Sequence, residues 1–353
     1  MKSIYSILGL LLFIQCGDSE ENHIDNSCSS QLNTVAAGLM TKLDNYDRDT
    51  DFTLLLASEN GNSFSHTVGN SSESTSYKSA STSKWVTAVV ILSLIEDGVL
   101  NLNDNPQDYI DFWPTTGNHS LIELKHLLNF TSGLVSEPLC INLPNSVFET
   151  CIESILDKNQ ALNTPGTEFF YGSSHMQVAG LMAIKATGMN SWEAIFNAFK
   201  TKTGLFTNSN YDLPSIQNPR LAGGMHWTGA EYMEFLDALY YQKILTPDLI
   251  QMLQTDGINN STIIYSPAKL GVNQDWHYGL GNWIECNSPA FNCSELNKFS
   301  SPGAYGAYPF IDYEHNYFGI LARQGDLNTF VKGYELFAHV ESDLESWANL
   351  DCN

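Results

Sequence analysis

The chain has 353 residues, 43% of them hydrophobic and 16% charged, with 16 basic side chains against 39 acidic ones. That composition is enough to bury a sizeable core and excludes a disordered chain. A formal net charge of −23 excludes nucleic acid as a partner and repels anionic lipid, because both need basic groups to displace their counterions.

The first 16 residues read as an export signal and not as fold. Lys2 is the one charge ahead of the apolar run Ile4–Ile14, which is too short to span a bilayer. The run ends at Cys16 and polar residues follow, as in a lipoprotein signal whose cysteine is lipidated and becomes the new N-terminus. Gln15 stands where a small residue is usual, so an ordinary secretory signal is the alternative. Residues 17–30 read as a polar tether.

Gln31–Tyr46 carries apolar residues at helical spacing. Phe52–Ser58 and Ser63–Val68 read as a hairpin about the turn Glu59–Asn62. A Ser/Thr-rich stretch leads to a helix over Ser81–Asp97, whose body Val86–Ile95 is apolar on nearly every face and should be buried. Helical signals dominate from Asn105 to Lys243. Tyr278–Glu285, Ala304–Asp312 and Asn316–Arg323 then read as strands and Gly333–Leu350 as a closing helix. This order predicts an α/β chain of the α+β type. One antiparallel sheet comes from both ends (31–78 and 270–350), helices flank it, and a mainly helical region (79–269) is inserted, all within a single domain over 31–350.

Setting Cys16 aside from seven cysteines leaves six, an even number that export makes available for disulfides. Proximity along the chain favours Cys140 with Cys151 and Cys286 with Cys293, which leaves Cys28 and Cys352. No CxxC and no clustered His accompanies them, so no metal is expected.

Ser81-Thr-Ser-Lys84 places a hydroxyl and an amine on one helical face. A Ser hydroxyl needs a base to become a nucleophile, and a Lys in a dry site loses its charge more easily. The first turn of a helix also favours a developing oxyanion. Spacing alone is weak: Ser266-Pro-Ala-Lys269 repeats it, with no helix expected to follow, and reads as chance. There is no G-x-S-x-G, H-E-x-x-H, P-loop or G-x-G-x-x-G, and no cofactor is implied.

The surroundings of Ser81 add to this. Leu94-Ile-Glu-Asp-Gly98-Val-Leu100-Asn-Leu102-Asn-Asp104, Leu127-Leu-Asn-Phe-Thr-Ser-Gly-Leu134, Pro165-Gly-Thr-Glu-Phe-Phe-Tyr171-Gly-Ser173, Ala222-Gly-Gly224 and Ser301-Pro-Gly-Ala-Tyr-Gly306 follow one another in order. With the Ser81/Lys84 pair, this series resembles the serine β-lactamase-related family, which holds class C β-lactamases, DD-peptidases and related esterases. The resemblance implies that family's β-lactamase/transpeptidase-like fold. It implies Ser81 as acylated nucleophile, Lys84 as its proton acceptor or the partner that tunes it, and Tyr171 as a proton relay whose phenolate the neighbouring Lys stabilises. The backbone N–H groups of Ser81 and Ala304 would form the oxyanion hole, and Ser173, Ser301, Gly303 and Ala304 would contact substrate.

Two positions depart from the family. Ser301 stands where it has Lys or His, and Ser173 where it has Asn. A missing cation argues against an anionic β-lactam and for a small carboxylic ester or a neutral amide. The alternatives are a β-lactamase or DD-peptidase, and a non-catalytic binding protein on a retired scaffold. Membrane contact would come only through a lipid on Cys16. His175 reads as structural. Trp276, His277, Tyr278 and Tyr305 form either an aromatic wall at the site or ordinary packing.

Overall fold

The computed structural model describes residues 26–286, 288–292 and 296–351. Its centre is a seven-stranded antiparallel sheet. The strand Phe52–Ser58 lies between Ser63–Val68 and Tyr317–Arg323, with Leu55 opposite Ser65 on one side and Ile320 on the other. Beyond it come Tyr308–Asp312, Lys298–Ser300, Trp283–Ile284 and His277–Tyr278. The first two strands in sequence are thus paired to the last ones, and the intervening chain forms the region that holds Ser81. Phe52–Ser58 reads as an apolar run because it is central: helices Asn26–Asp44 and Phe330–Ala348 pack with each other beside the sheet, and helix Gly229–Tyr240 packs on it as well. Every residue of Tyr317–Arg323 is buried for the same reason.

The sequence reading differs from the structure at its edges. The first helix is described from Asn26, inside the stretch expected as tether, and it packs against Phe330–Ala348, which supplies the tertiary support that its polar first turn lacks in its own sequence. Tyr278–Glu285 is not one strand. Gly279 and Asn282 close a tight turn, Gly281 has φ +81°, and His277–Tyr278 pairs back on Trp283–Ile284. The strand expected from Ala304 starts at Tyr308, since Gly303–Gly306 forms a turn, and Lys298–Ser300 was not foreseen. The closing helix starts at Phe330, three residues early. A short helix, Pro267–Val272, does follow Ser266, whose hydroxyl accepts from the Lys269 N–H as its cap. That hydroxyl is a capping group, so the second S-x-x-K has a structural cause.

Cys140 and Cys151 are bridged. Cys28 and Cys286 are each disulfide-bonded; the partners expected for them, Cys352 and Cys293, lie outside the described residues, as does Cys16.

Candidate active site

A tight turn, Ala80–Thr82, runs into the helix Ser83–Glu96. From Ser83 to Ser93 this helix is buried all round, as its apolar sequence requires. Ala80 is held at φ +46°, a left-handed conformation that costs a non-glycine residue energy and re-aims the residue after it. That next residue is Ser81, half-buried at the floor of a cleft. One helical turn on, Lys84 is only 3% exposed. Its Nζ donates to Ser81 Oγ at 3.0 Å and to the Ala222 carbonyl at 2.8 Å. The Ala222-Gly-Gly224 motif therefore supplies the carbonyl that aims the amine. A Cβ at Gly224 would sit 2.0 Å from the Leu213 carbonyl, so only glycine lets that loop close. Burial, with the Arg220 charge adding to it, lowers the Lys84 pKa to about 7. Near neutrality a substantial share of the amine, about half, is therefore free base.

Tyr171 follows the short strand Glu168–Phe170, and its N–H donates to the Tyr265 carbonyl. Its ring is stacked on Trp283 at 5.0 Å and meets Phe130 and Tyr278 edge-on. Burial pushes the Tyr171 phenol well above its usual range, outweighing the lowering effect of the Ser81 and Trp283 side chains. This corrects the expected phenolate: Lys84 Nζ lies over the ring face, 4.6 Å from its centroid, and is itself driven toward neutrality. Geometry and burial thus leave Lys84 as the group beside Ser81 able to take a proton near neutrality, while burial favours the protonated phenol of Tyr171. His175 is structural, as expected. It is fully buried, with Nε2 on the Phe170 carbonyl and Nδ1 on the Ser132 hydroxyl. Burial lowers its pKa to about 4, so it is neutral; a carbonyl only accepts, so Nε2 carries the proton.

Gly303 and Ala304 line the cleft with Ser81. A Cβ on Gly303 would meet the Ser79 carbonyl at 2.6 Å, so glycine is what lets this turn approach the nucleophile. Ser301 is placed differently from a substrate contact. Its buried hydroxyl donates to the Ser81 carbonyl at 3.0 Å and braces the nucleophile's backbone. Ser173 does line the cleft, but its hydroxyl accepts from Arg220 Nε and Nη2, at 3.1 and 2.6 Å.

Arg220 and Glu137 are site residues that the sequence did not reveal. Both line the cleft, 3.5 Å apart, and the Glu137 carboxylate also accepts from the Ser173 N–H. Only position ties Arg220 to a motif, two residues ahead of Ala222-Gly-Gly224. The aromatic wall is Tyr265, Trp283 and Phe330. Trp276 and Tyr278 pack behind it against Trp283, and His277 pairs with Asp256. Tyr305 is half-exposed, and its carbonyl accepts from the Gly325 N–H. Away from the cleft, Asp312, His315 and Glu345 bring ligand atoms within 4.8 Å of one another. The Asp312 carboxylate already accepts from the Glu314 and His315 N–H groups and faces the His315 ring, which accounts for the group as a turn cap. An opening of about 830 Å³ around Lys202 and Lys243 holds no nucleophile beside a base.

Comparison with known proteins agrees with this geometry. Protein flp of Staphylococcus aureus (strain MRSA252) is 28% identical over 319 residues, which are 78% of this chain and 60% of flp, so the chain spans about three fifths of that relative's length. A candidate β-lactamase of Bacteroides dorei DSM 17855 is similar in structure, with a TM-score of 0.71 and 25% identity, covering 89% of this chain and 98% of that one. EstCE1, a hydrolase with promiscuous acyltransferase activity, shares the fold at a TM-score of 0.69 and 17% identity, covering 92% of this chain and 100% of that one. The Beta-lactamase family profile matches residues 54–330, a span that holds Ser81, Lys84 and Tyr171, and the chain belongs to that family of serine hydrolases.

Proposed function

We propose that the protein is an exported carboxylic ester hydrolase that works through an acyl-Ser81 intermediate. The observation that carries this reading is a buried amine, near its titration point, 3.0 Å from a hydroxyl on the cleft floor. As Ser81 Oγ attacks the ester carbon, its proton passes to neutral Lys84, and the carbonyl π electrons move to oxygen. Backbone N–H groups of Ser81 and Ala304 would hold that oxyanion. On collapse the C–O bond to the alcohol breaks, and the leaving oxygen takes a proton from Tyr171, which recovers one from Lys84. Water then repeats the sequence on the acyl-enzyme and returns the acid and free Ser81.

An ester suits the cleft better than an anionic amide. Ser301 presents no charge, and the one cleft guanidinium is partnered by Glu137. Export and lipidation rest on the Lys2 to Cys16 pattern, and the disulfides support export. Among the described residues no helix is long and apolar enough to cross a membrane. The hydrolase reading is tested by turnover of a short-chain nitrophenyl ester. Loss of turnover in Ser81→Ala supports it; turnover indifferent to Ser81→Ala overturns it. Labelling of cells with radioactive palmitate, lost in Cys16→Ser, tests the anchor.

A further inference from the structure

We infer that the substrate is amphiphilic: one side of its scissile bond carries a hydrocarbon chain that runs along Leu270, and the other carries an uncharged hydrogen-bond acceptor held by Arg220. This rests on the ester-hydrolase reading and specifies what the site takes.

Two cavities, of about 360 and 430 Å³, share Ser81, Tyr171 and Tyr265 and so open away from the nucleophile as two arms. Their walls differ in chemistry. The first is lined by Pro267, Ala268, Leu270, Trp283, Phe330 and Val331. The second is lined by Glu137, Ser173, Arg220 and Lys84, with Val135 and Phe170 as its apolar members.

The apolar arm continues past its own mouth. Leu270 is 75% exposed although it lines the arm, and Leu327, next to the lining residue Asn328, is 62% exposed. The helix that presents Leu270 is built for its place. Ser266 caps it, Lys269 pairs with Asp275 at 3.1 Å, and a Cβ on Gly271 would touch Val331 and Phe330. A chain lying on this lip removes apolar surface from water on both partners, worth about fourfold in binding per buried methylene.

The polar arm reads an acceptor and not an anion. Arg220 donates through Nε and Nη2 to Ser173 and through Nη1 to Asn142 Oδ1 at 3.0 Å; a guanidinium has five N–H groups, so these three hydrogen bonds leave two, and Nη2 also lies 3.5 Å from Glu137. Glu137, 3.5 Å away, cancels the guanidinium charge and repels a carboxylate entering beside it. A carbonyl oxygen meets neither objection.

The experiment measures kcat/KM by pH-stat for methyl, butyl and octyl esters of N-acetylglycine, for the matching hemisuccinate esters, and for nitrophenyl esters from acetate to octanoate. The first set puts the chain on the alcohol and the last puts it on the acid, so together they assign the apolar arm. We expect at least a tenfold gain from the shortest to the octyl or octanoyl member in one set, and Leu270→Asp should flatten that ratio. N-acetylglycyl esters should exceed hemisuccinates at least tenfold. Glu137→Gln should narrow that preference by unmasking Arg220, and Arg220→Gln should lower the N-acetylglycyl esters relative to simple butyrate. Ser81-dependent turnover with no chain-length ratio, or with hemisuccinates preferred, overturns the inference and leaves the hydrolase standing. No Ser81-dependent turnover of any ester takes down both.

Discussion

Lys84 and Tyr171 are pushed in opposite directions by the same cause. Burial disfavours charge, so the amine tends to lose its proton while the phenol keeps its own. On the proposed mechanism the base is Lys84, and the pH dependence follows from the sign of its shift. Below about pH 7 Lys84 is increasingly protonated and cannot accept from Ser81, so kcat/KM should rise with pH along a limb centred near 7. Arg220 lowers the Lys84 pKa and Glu137 raises it. Arg220→Gln should therefore move the limb to higher pH and Glu137→Gln to lower pH, read from pH profiles with one simple ester. Tyr171→Phe keeps the ring stacked on Trp283 but removes the proton. Its kcat should fall by about 10³, the scale of general acid catalysis, with circular dichroism unchanged.

At the scale of elements, the cleft depends on chain segments that approach closer than a side chain permits. Gly303→Ala would place a methyl group 2.6 Å from the Ser79 carbonyl and push Ala304 away from Ser81. If Ala304 supplies an oxyanion donor, kcat should drop by about 10² with little change in melting temperature. The motifs that build this place were legible in the sequence, Ser81/Lys84 through their spacing on one helical face and Tyr171 and the glycines through the resemblance of the stretches that carry them; the short strand Glu168–Phe170 ahead of Tyr171 was not foreseen. Strand limits near the site were less legible. Tyr278–Glu285 is apolar enough to read as one strand, and only the hydrogen bond between Gly279 and Asn282 divides it. Arg220 and Glu137 were not legible at all. They lie 83 positions apart in the numbering 137 and 220, and only the fold makes them neighbours at 3.5 Å. The phenolate expected of Tyr171 failed for a similar reason, since a sequence shows a neighbouring charge but not the depth of burial.

Over the whole molecule, the sheet joins two chain ends that are separated by the entire helical region, and polar pairs must hold that long-range closure as well as the core does. The clearest is Arg323, on the strand beside Phe52–Ser58. It is completely buried, and its Nη2 meets both oxygens of Asp49 at 2.7 and 2.8 Å across 274 positions of sequence. Forming such a pair from water gains little, because desolvating two charges offsets their attraction; removing one partner is costly, because the other is left charged in the core. Asp49→Ala should therefore lower the free energy of unfolding by about 3 kcal/mol. Lys42→Ala, which breaks an exposed pair with Asp343 between the first and last helices, should change it by less than about 1 kcal/mol. Urea titrations at pH 7, with tryptophan fluorescence as the probe, measure both. Equal losses would mean that the ends are closed by the packing of the two helices, with Arg323 finding water or another acceptor once Asp49 is gone. A large loss confined to Asp49→Ala would locate the closure at the buried pair, next to the strand on which both halves of the sheet meet.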